Sequence, residues 1–210
     1  MIKVFILDDH IIFREGVKKV IANTPDMVVA GEAGDGHKAL RLILENAYDV
    51  ILLDLALPGM EGLDVLRVLK TRRSTLPVLV LSMYPEEQYA VRVLKEGALG
   101  YLTKESVPEE LIKAIRKVAR GSRYVSNALG ERLAGDLVGV GDKGLHEALS
   151  SREYQIFRML AAGKTVKEMA QELSLARTTI SSYRTRILEK MNTRTNGELI
   201  RYAIEHHLTP

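Results

Sequence analysis

Short apolar runs alternate with amphipathic stretches through the first 121 residues. Five runs have the length and aliphatic content of strands buried on both faces: residues 2–7, 27–31, 50–53, 78–81 and 99–102. Each run is followed, after a short loop, by a stretch whose apolar residues have helical spacing. Such strict alternation produces parallel strands whose connecting helices cover both faces of one sheet. The sequence therefore predicts an α/β unit, a five-stranded parallel, doubly wound (flavodoxin-like) sheet with strand order 2-1-3-4-5.

Polar residues follow four of these predicted strands. Asp8 and Asp9 follow the first strand, Asp54 the third, Ser82 ends the fourth and Lys104 follows the fifth. In a 2-1-3-4-5 sheet the first and third strands are neighbours, and sites form beyond their carboxyl ends. Taken alone, Asp54 is explained equally well as a cap of the turn that follows it. Three clustered carboxylates, however, repel one another unless a cation neutralises them, and oxygen ligands suit Mg²⁺ or Mn²⁺.

Several classes of protein are disfavoured by composition. The chain has no cysteine, which excludes disulfide frameworks and Cys-based zinc sites, and its five histidines lack an H-E-x-x-H spacing. The first ten residues, MIKVFILDDH, run into acidic residues rather than a signal-peptide cleavage site. No apolar run approaches the roughly 18 residues of a membrane span. We therefore expect a soluble, cytoplasmic protein with no membrane partner.

The basic charge is concentrated at the C-terminal end. Residues 1–121 contain 17 Lys/Arg and 17 Asp/Glu, and residues 122–150 contain three and four, a net charge of −1. Residues 151–210 contain 10 Lys/Arg and 6 Asp/Glu, a net charge of +4. This asymmetry is a weak indication that the last part of the chain binds nucleic acid.

Residues 1–121 resemble the receiver domain of two-component response regulators. The matching features are the acidic pair after the first strand, the D-x-x-x-P-G of residues 54–59, Ser82, and Tyr101 three positions before Lys104. The resemblance implies that a sensor histidine kinase transfers a phosphoryl group to the carboxylate at the start of the D-x-x-x-P-G motif. Mg²⁺ (or Mn²⁺) is then the implied cofactor.

The same resemblance implies a role for each pocket residue. Asp54 is the phosphoacceptor. The implied metal ligands are Asp8, Asp9, Asp54 and the backbone carbonyl of Ala56. The implied phosphoryl-binding and switch residues are Ser82, which binds phosphoryl oxygens, Lys104, which pairs with the phosphoryl charge, and Tyr101, which turns toward the space that Ser82 vacates.

Residues 122–146 are predicted to form a linker. Leu129, Leu133 and Leu137 have helical spacing, which indicates a short connecting helix over residues 126–137. The following Gly-rich stretch contains a formal G-x-G-x-x-G at residues 139–144. Because no strand precedes this motif and no βαβ unit contains it, we interpret it as a hinge and not as a dinucleotide site.

Residues 147–210 are predicted to form an all-α domain of four helices. Thr165 and Glu168 have the spacing of a capping box, and a three-residue turn at 174–176 separates two helices in the manner of a helix-turn-helix. A plain helical bundle is the alternative. The longer helix predicted at residues 177–191 carries small hydroxyl residues beside arginines, a combination that can reach base edges and phosphates together.

This C-terminal part resembles the LuxR-type helix-turn-helix. The resemblance is carried by residues 149–153, 163–170 and 179–183. It places Ser181, Ser182 and Thr185 near bases. It places Lys164, Thr178, Arg184, Lys190 and Arg194 on DNA phosphates. The last helix, predicted at residues 195–206, is explained equally well as a dimer contact and as part of the domain core.

The two resemblances together describe a DNA-binding response regulator of the NarL/FixJ type, a transcription regulator and not a turnover enzyme. Its implied partners are a sensor histidine kinase, double-stranded promoter DNA with paired half-sites, a second copy of the chain when phosphorylated, and, as a further candidate, RNA polymerase. An aspartate phosphatase of the haloacid dehalogenase type is a rival, but it requires a second Asp where the chain has Ala56. A regulator that acts through protein contacts alone is the third hypothesis.

Overall fold

The computed structural model describes residues 1–126, 129–130, 144–173, 175–206 and 208. These residues belong to two compact units, Met1–Val140 and Gly141–Pro210. Within the described part of the chain, none of the helices is both long enough and apolar enough to cross a membrane.

The first unit is the predicted parallel sheet with its connecting helices. Its elements in chain order are β1 (Ile2–Leu7), α1 (Ile11–Ala22), β2 (Met27–Ala33), α2 (Gly36–Glu45), β3 (Val50–Leu53), α3 (Gly62–Arg72), β4 (Val78–Ser82), α4 (Glu86–Lys95), β5 (Gly100–Thr103) and α5 (Pro108–Ala119). All pairings are parallel and the strand order is β2-β1-β3-β4-β5, so the predicted topology is confirmed.

Both faces of the sheet are covered. Alternate residues of the central strands, such as Ile6 and Leu52, pack with Val17 of α1 and Ile115 of α5 in one core cluster. The intervening residues of the same strands, which point to the opposite face, are equally buried: all four residues of β3 have 0–1% exposure. The apolar run that ends at Asp54 is therefore buried on both faces, as its lack of alternation predicts.

The chain continues along the sheet after α5. Tyr124 forms an isolated parallel bridge with Gly100 and donates its N–H to the Leu99 carbonyl at 2.7 Å. Ser126 donates its hydroxyl to Glu86 at the start of α4, at 2.6 Å. The first residues of the predicted linker thus pack on the first unit. Leu129 and Gly130 are helical, whereas Ser126, the first residue of the predicted linker helix, is not. The other residues of that predicted helix and most of the Gly-rich stretch lie outside the described residues.

The second unit consists of a short 3₁₀ turn (Leu145–Ala148) and the helices α6 (Ser151–Ala161), α7 (Val166–Glu172), α8 (Arg177–Lys190) and α9 (Asn196–Glu205). Capping boxes start α6 and α7, so the predicted box at Thr165 and Glu168 is confirmed. Leu199 and Ala203 of α9 are fully buried, which supports the core explanation for that helix, whereas Ile204 is 59% exposed and available for a partner.

Candidate functional site

The carboxyl ends of β1, β3, β4 and β5 bring the predicted pocket residues to one edge of the sheet. The N–H of Asp54 donates to the Leu7 carbonyl at 2.8 Å, which fixes Asp54 beside the start of the acidic pair. On the other side, the N–H of Lys104 donates to the Ser82 carbonyl at 2.9 Å. Sheet pairing alone therefore assembles the site, and we call Asp8, Asp9, Asp54 and Lys104 the acidic pocket.

Lys104 is the cation at the centre of the acidic pocket. Its Nζ lies 2.6 Å from Oδ2 of Asp8 and 2.7 Å from Oδ2 of Asp54. The three side chains are only 4%, 2% and 1% exposed, respectively, so these contacts are weakly screened by solvent. One ammonium group thus neutralises part of the charge of two buried carboxylates that lie side by side.

The pocket raises the pKa of Asp54 above its ordinary value. Burial is the largest cause and the neighbouring charge of Asp8 adds to it, while Lys104 and the Ala56 N–H act in the opposite direction. That N–H donates to Oδ1 of Asp54 at 3.2 Å, so the carboxylate also forms the turn contact that the capping interpretation predicts. The ionised form of Asp54 is therefore held at a cost that an additional cation would remove.

Asp9 and His10 complete the rim of the pocket. Nδ1 of His10 lies 2.9 Å from Oδ1 of Asp9 and 3.2 Å from Oδ1 of Asp8, and the imidazole is 57% exposed. Ligand atoms of Asp8, Asp9, His10 and Asp54 all lie within 4.8 Å of one another. Three clustered carboxylates with one fixed cation are a donor set that fits a hard divalent cation.

Ser82 and Tyr101 connect the pocket to the start of α4. Ser82 is fully buried, and its Oγ accepts the N–H of Tyr84 at 3.3 Å. Tyr101 is also fully buried and donates its hydroxyl to the Tyr84 carbonyl at 2.7 Å. Burial raises the pKa of Tyr101, which keeps the phenol a donor. Tyr101 therefore lies in an inward position, next to Tyr84 and just before α4.

Three residues in or against the pocket were not singled out from the sequence. His10 lies among the carboxylates, and the ring of Phe13 lies beneath Lys104, with Nζ 4.7 Å from the ring centroid. Arg14 donates to the Asp8 carbonyl at 2.6 Å and so fixes the turn after β1. Their proximity to the acidic pair along the chain is the only signal that the sequence offers, because side-chain direction in the first turn of α1 depends on where that helix starts.

The polar face of α8 carries the residues predicted to lie near bases. Ser181, Ser182 and Thr185 are all exposed, while Ile180 and Ile187 are fully buried on the opposite side. The hydroxyls of Ser182 and Thr185 donate to carbonyls four residues earlier in the helix, at 3.0 and 3.2 Å. With their protons engaged in this way, both oxygens are free to accept hydrogen bonds, which adenine and cytosine can donate in the major groove.

The residues predicted to contact phosphates divide into two sets. Thr178 and Arg194 are exposed side chains at the two ends of the α8 region. The other three have partners within the second unit: Lys190 binds Glu153 at 2.6 Å, Arg184 donates to Asn196 at 2.7 Å, and Lys164 binds Glu172. A phosphate contact by any of these three must therefore share or replace an existing partner.

Comparison with protein families accounts for both units. The family model described as "Response regulator receiver domain" matches residues 4–116, more than half of the chain. The model described as "Bacterial regulatory proteins, luxR family" matches residues 147–203.

Similar proteins match over nearly the whole length. The chain is 33% identical to the response regulator UvrY of Escherichia coli K12, over 99% of this chain and 96% of that protein. It is 34% identical to the response regulator GacA of Pseudomonas aeruginosa, over 98% of this chain and 97% of that protein. A solved structure of RcsB from Salmonella enterica serovar Typhimurium, bound to promoter P1flhDC in the presence of the phosphomimetic BeF3−, matches with a TM-score of 0.62 and 27% identity, over 96% of this chain and 97% of that one.

The topology, the acidic pocket and these matches have one common explanation. The chain belongs to the NarL/FixJ family and is a two-component response regulator, in which a receiver domain is joined to a LuxR-type DNA-binding domain that regulates transcription.

Proposed function

We propose that Asp54 is the phosphoacceptor of this response regulator and that a sensor histidine kinase is its phosphoryl donor. The observation that carries this proposal is the position of Lys104, whose ammonium bridges Asp8 and Asp54 where three strands end. Asp54 Oδ attacks the phosphorus of a phosphohistidine, an O–P bond forms, the N–P bond breaks, and imidazole leaves. Two anions must approach for this reaction, and Lys104 offsets their repulsion.

The same proposal assigns roles to the other residues at this edge of the sheet. Asp8, Asp9, Asp54 and the Ala56 carbonyl hold Mg²⁺ (or Mn²⁺), which supplies further positive charge when it is bound. Ser82 binds the phosphoryl oxygens, and Tyr101 is the switch residue that responds to the movement of Ser82. Because position 56 offers no carboxylic acid to assist turnover, we expect slow autodephosphorylation and not phosphatase activity.

For the second unit we propose that α8 enters the major groove of promoter DNA. Ser181, Ser182 and Thr185 face bases. Lys164, Thr178, Arg184, Lys190 and Arg194 contact phosphates. The domain limits that accompany this proposal are a receiver at residues 1–121, a linker at residues 122–146 and the DNA-binding domain at residues 147–210. The solved RcsB structure, bound to a promoter in the presence of a phosphomimetic, supports this division of roles.

We also propose that phosphorylation favours a homodimer on paired half-sites. Half-sites about one helical turn apart suit two copies related by a twofold axis. The exposed Ile204 of α9 is available for such a contact. A shift from about 1:99 to 99:1 between inactive and active forms requires roughly 5.5 kcal/mol of differential stabilisation. RNA polymerase is a candidate partner of the DNA-bound form.

The phosphoacceptor is tested with acetyl phosphate as the donor. The full chain should gain one phosphoryl group by intact mass, and its affinity for promoter DNA should rise in the same reaction. Asp54→Asn should abolish both changes. Asp64→Asn, which removes a half-exposed carboxylate of α3, is the matched control and should leave both intact. Promoter binding by Asp54→Asn that still depends on acetyl phosphate would refute the proposed switch.

The salt dependence of DNA binding tests the proposed phosphate contacts. A steep dependence also distinguishes a DNA-binding regulator from one that acts through protein contacts alone. Each phosphate contact adds about 0.9 to the slope of log affinity against log salt concentration. We expect Arg194→Gln to lower this slope by about 1. Arg201→Gln on α9, whose side chain is 76% exposed, should leave it unchanged. Equal slopes for the two variants would remove Arg194 from the interface.

A further inference from the structure

The ammonium of Lys104 has a neighbour that carries no charge. Two of its contacts are Oδ2 of Asp8 and Oδ2 of Asp54, and Nδ1 of His10 lies 3.5 Å away. The ring of Phe13, in the first turn of α1, has its centroid 4.7 Å from the same Nζ. This distance is within the range in which the negative face of an aromatic ring attracts an ammonium group.

We propose that Phe13 is a positioning residue for Lys104: its ring holds the ammonium where the phosphoryl group on Asp54 requires it. The proposal rests on the proposed phosphorylation of Asp54. When the phosphoryl group is attached, Lys104 turns its N–H groups toward the new oxygens, and the ring remains its partner on the other side. The electron density of the ring then contributes to the affinity of the pocket for a phosphoryl group.

The charge of the acidic pocket explains why a ring suits this position. Asp8, Asp9 and Asp54 already place three carboxylates near the point where an anionic phosphoryl group must arrive. Another carboxylate beside Lys104 would hold the lysine but would also repel that group. A phenyl ring attracts the ammonium and adds no net charge, and the interaction is strong because Lys104 is only 4% exposed.

The half-buried Phe13 has different surroundings on different sides. One side packs against the core cluster of the first unit. The ring and the stem of Lys104 both line an apolar cavity of about 350 Å³ between α1 and α5, with Gly16, Val17 and Leu111 among the other lining residues. On this side the ring meets open space and is not tightly enclosed. The ring therefore has both a packing contact and a contact with the ammonium, and only the second depends on the electron density of the ring face.

Fluorination of the ring tests the proposal because fluorine withdraws electron density from the ring face and changes the ring volume little. In the full chain, Phe13 is replaced by phenylalanine analogues with one, two and three ring fluorines, and beryllofluoride binding at saturating Mg²⁺ is measured by calorimetry. We expect a stepwise loss of affinity that reaches about 3- to 20-fold with three fluorines. Phe13→Leu should lose as much, and Phe13→Tyr, which keeps the ring face, should bind nearly as the unmodified protein does.

The matched control is the same series at Phe5, a fully buried ring of β1 that meets Tyr48 edge-on at 5.0 Å between centroids. It should leave beryllofluoride affinity unchanged. A flat series at Phe13 would overturn the proposal even if Phe13→Leu weakened binding, because the ring would then act through its volume alone. If the unmodified protein failed to bind beryllofluoride, the phosphoryl site itself would be refuted and this role of Phe13 with it.

Discussion

The receiver and the DNA-binding domain each bury a carboxylate beside a lysine. The surroundings stabilise the charge of the carboxylate in the DNA-binding domain and destabilise it in the receiver. Glu153 accepts the Ser150 N–H at 2.7 Å as part of a capping box and the ammonium of Lys190 at 2.6 Å. Asp54 has the weak turn contact to Ala56 and shares one lysine with Asp8. Glu153 therefore has Lys190 as a cation of its own, whereas Asp54 shares Lys104 with Asp8.

The pKa values of the two groups follow from this difference. Burial raises the pKa of Glu153, but the hydrogen bonds from Lys190 and from the N–H of Ser150 lower it by more than burial raises it. The pKa of Glu153 therefore lies below its ordinary value. Burial and Asp8 outweigh Lys104 at Asp54, whose pKa lies above its ordinary value. The charge of Glu153 thus stabilises its fold. The charge of Asp54 is held against its environment, and this makes it available to a metal ion and a phosphoryl group.

Removing the shared cation should have the largest effect on stability. Lys104→Met leaves two buried carboxylates without their cation, and we expect the receiver to lose about 3 kcal/mol in the absence of divalent cations. Amide hydrogen exchange in the full chain measures this loss at β3 and reads α8 at the same time. Because the mutation lies in the first unit, α8 exchange serves as the internal control.

A second measurement determines the stability of the Lys104→Met variant in the presence of Mg²⁺. If the carboxylates bind the ion, Mg²⁺ should restore much of the stability that Lys104→Met removes, since a ligand that binds only the native state stabilises it by RT ln(1 + [L]/Kd). Glu153 and Lys190 should show no such dependence. A receiver that lost stability equally with and without Mg²⁺ would show that the ion does not replace the charge of Lys104, and the proposed binding of a metal ion by these carboxylates would then fail.

The second prediction concerns the satisfied carboxylate. Glu153→Gln keeps an acceptor for the Ser150 N–H but removes the charge that binds Lys190. We expect the DNA-binding domain to lose about 1–2 kcal/mol, less than a fully buried pair would give because the Lys190 side chain is 42% exposed. Since the folded-state pKa of Glu153 is lowered, its contribution is present at neutral pH and disappears as the pH falls from about 4.5 through the folded value.

The measurement is amide exchange at α8 across this pH range, with β3 as the unaffected reference. The parent and the Gln variant should differ at neutral pH and converge in acid. A difference between them that stayed constant with pH would mean that the charge of Glu153 is not what stabilises α6 and α8.

The two sites also differ in how well the sequence predicts them. The acidic pocket is visible because every parallel strand ends at the same edge, so Asp8, Asp54 and Lys104 are brought together by topology alone. Glu153 could be recognised as a helix-start residue, but its pairing with Lys190 depends on how α6 packs against α8. The same dependence on packing explains why Arg184, predicted to contact phosphate, has Asn196 as its partner. It also explains why Phe13 was not foreseen, since nothing in local spacing directs a ring toward a lysine 91 positions later.

The smallest expected effect has the opposite sign. Asp54→Asn removes one of three crowded negative charges and leaves Lys104 to Asp8, so without divalent cations it should stabilise the receiver by about 1 kcal/mol at neutral pH. Because the folded-state pKa of Asp54 is raised, the parent is most stable below the ordinary value of 3.8 and loses stability as the pH rises through the folded value. The gain in stability of the Asn variant should therefore grow across that pH interval and then level off.

Amide exchange at β3 measures this gain in stability. Mg²⁺ should reduce the gain, because the ion should stabilise the parent more than the Asn variant. If Asp54→Asn instead destabilised β3 at neutral pH without Mg²⁺, as Glu153→Gln should destabilise α8, the charge of Asp54 would be satisfied by Lys104 alone, and no stored repulsion would remain to favour a metal ion in the pocket.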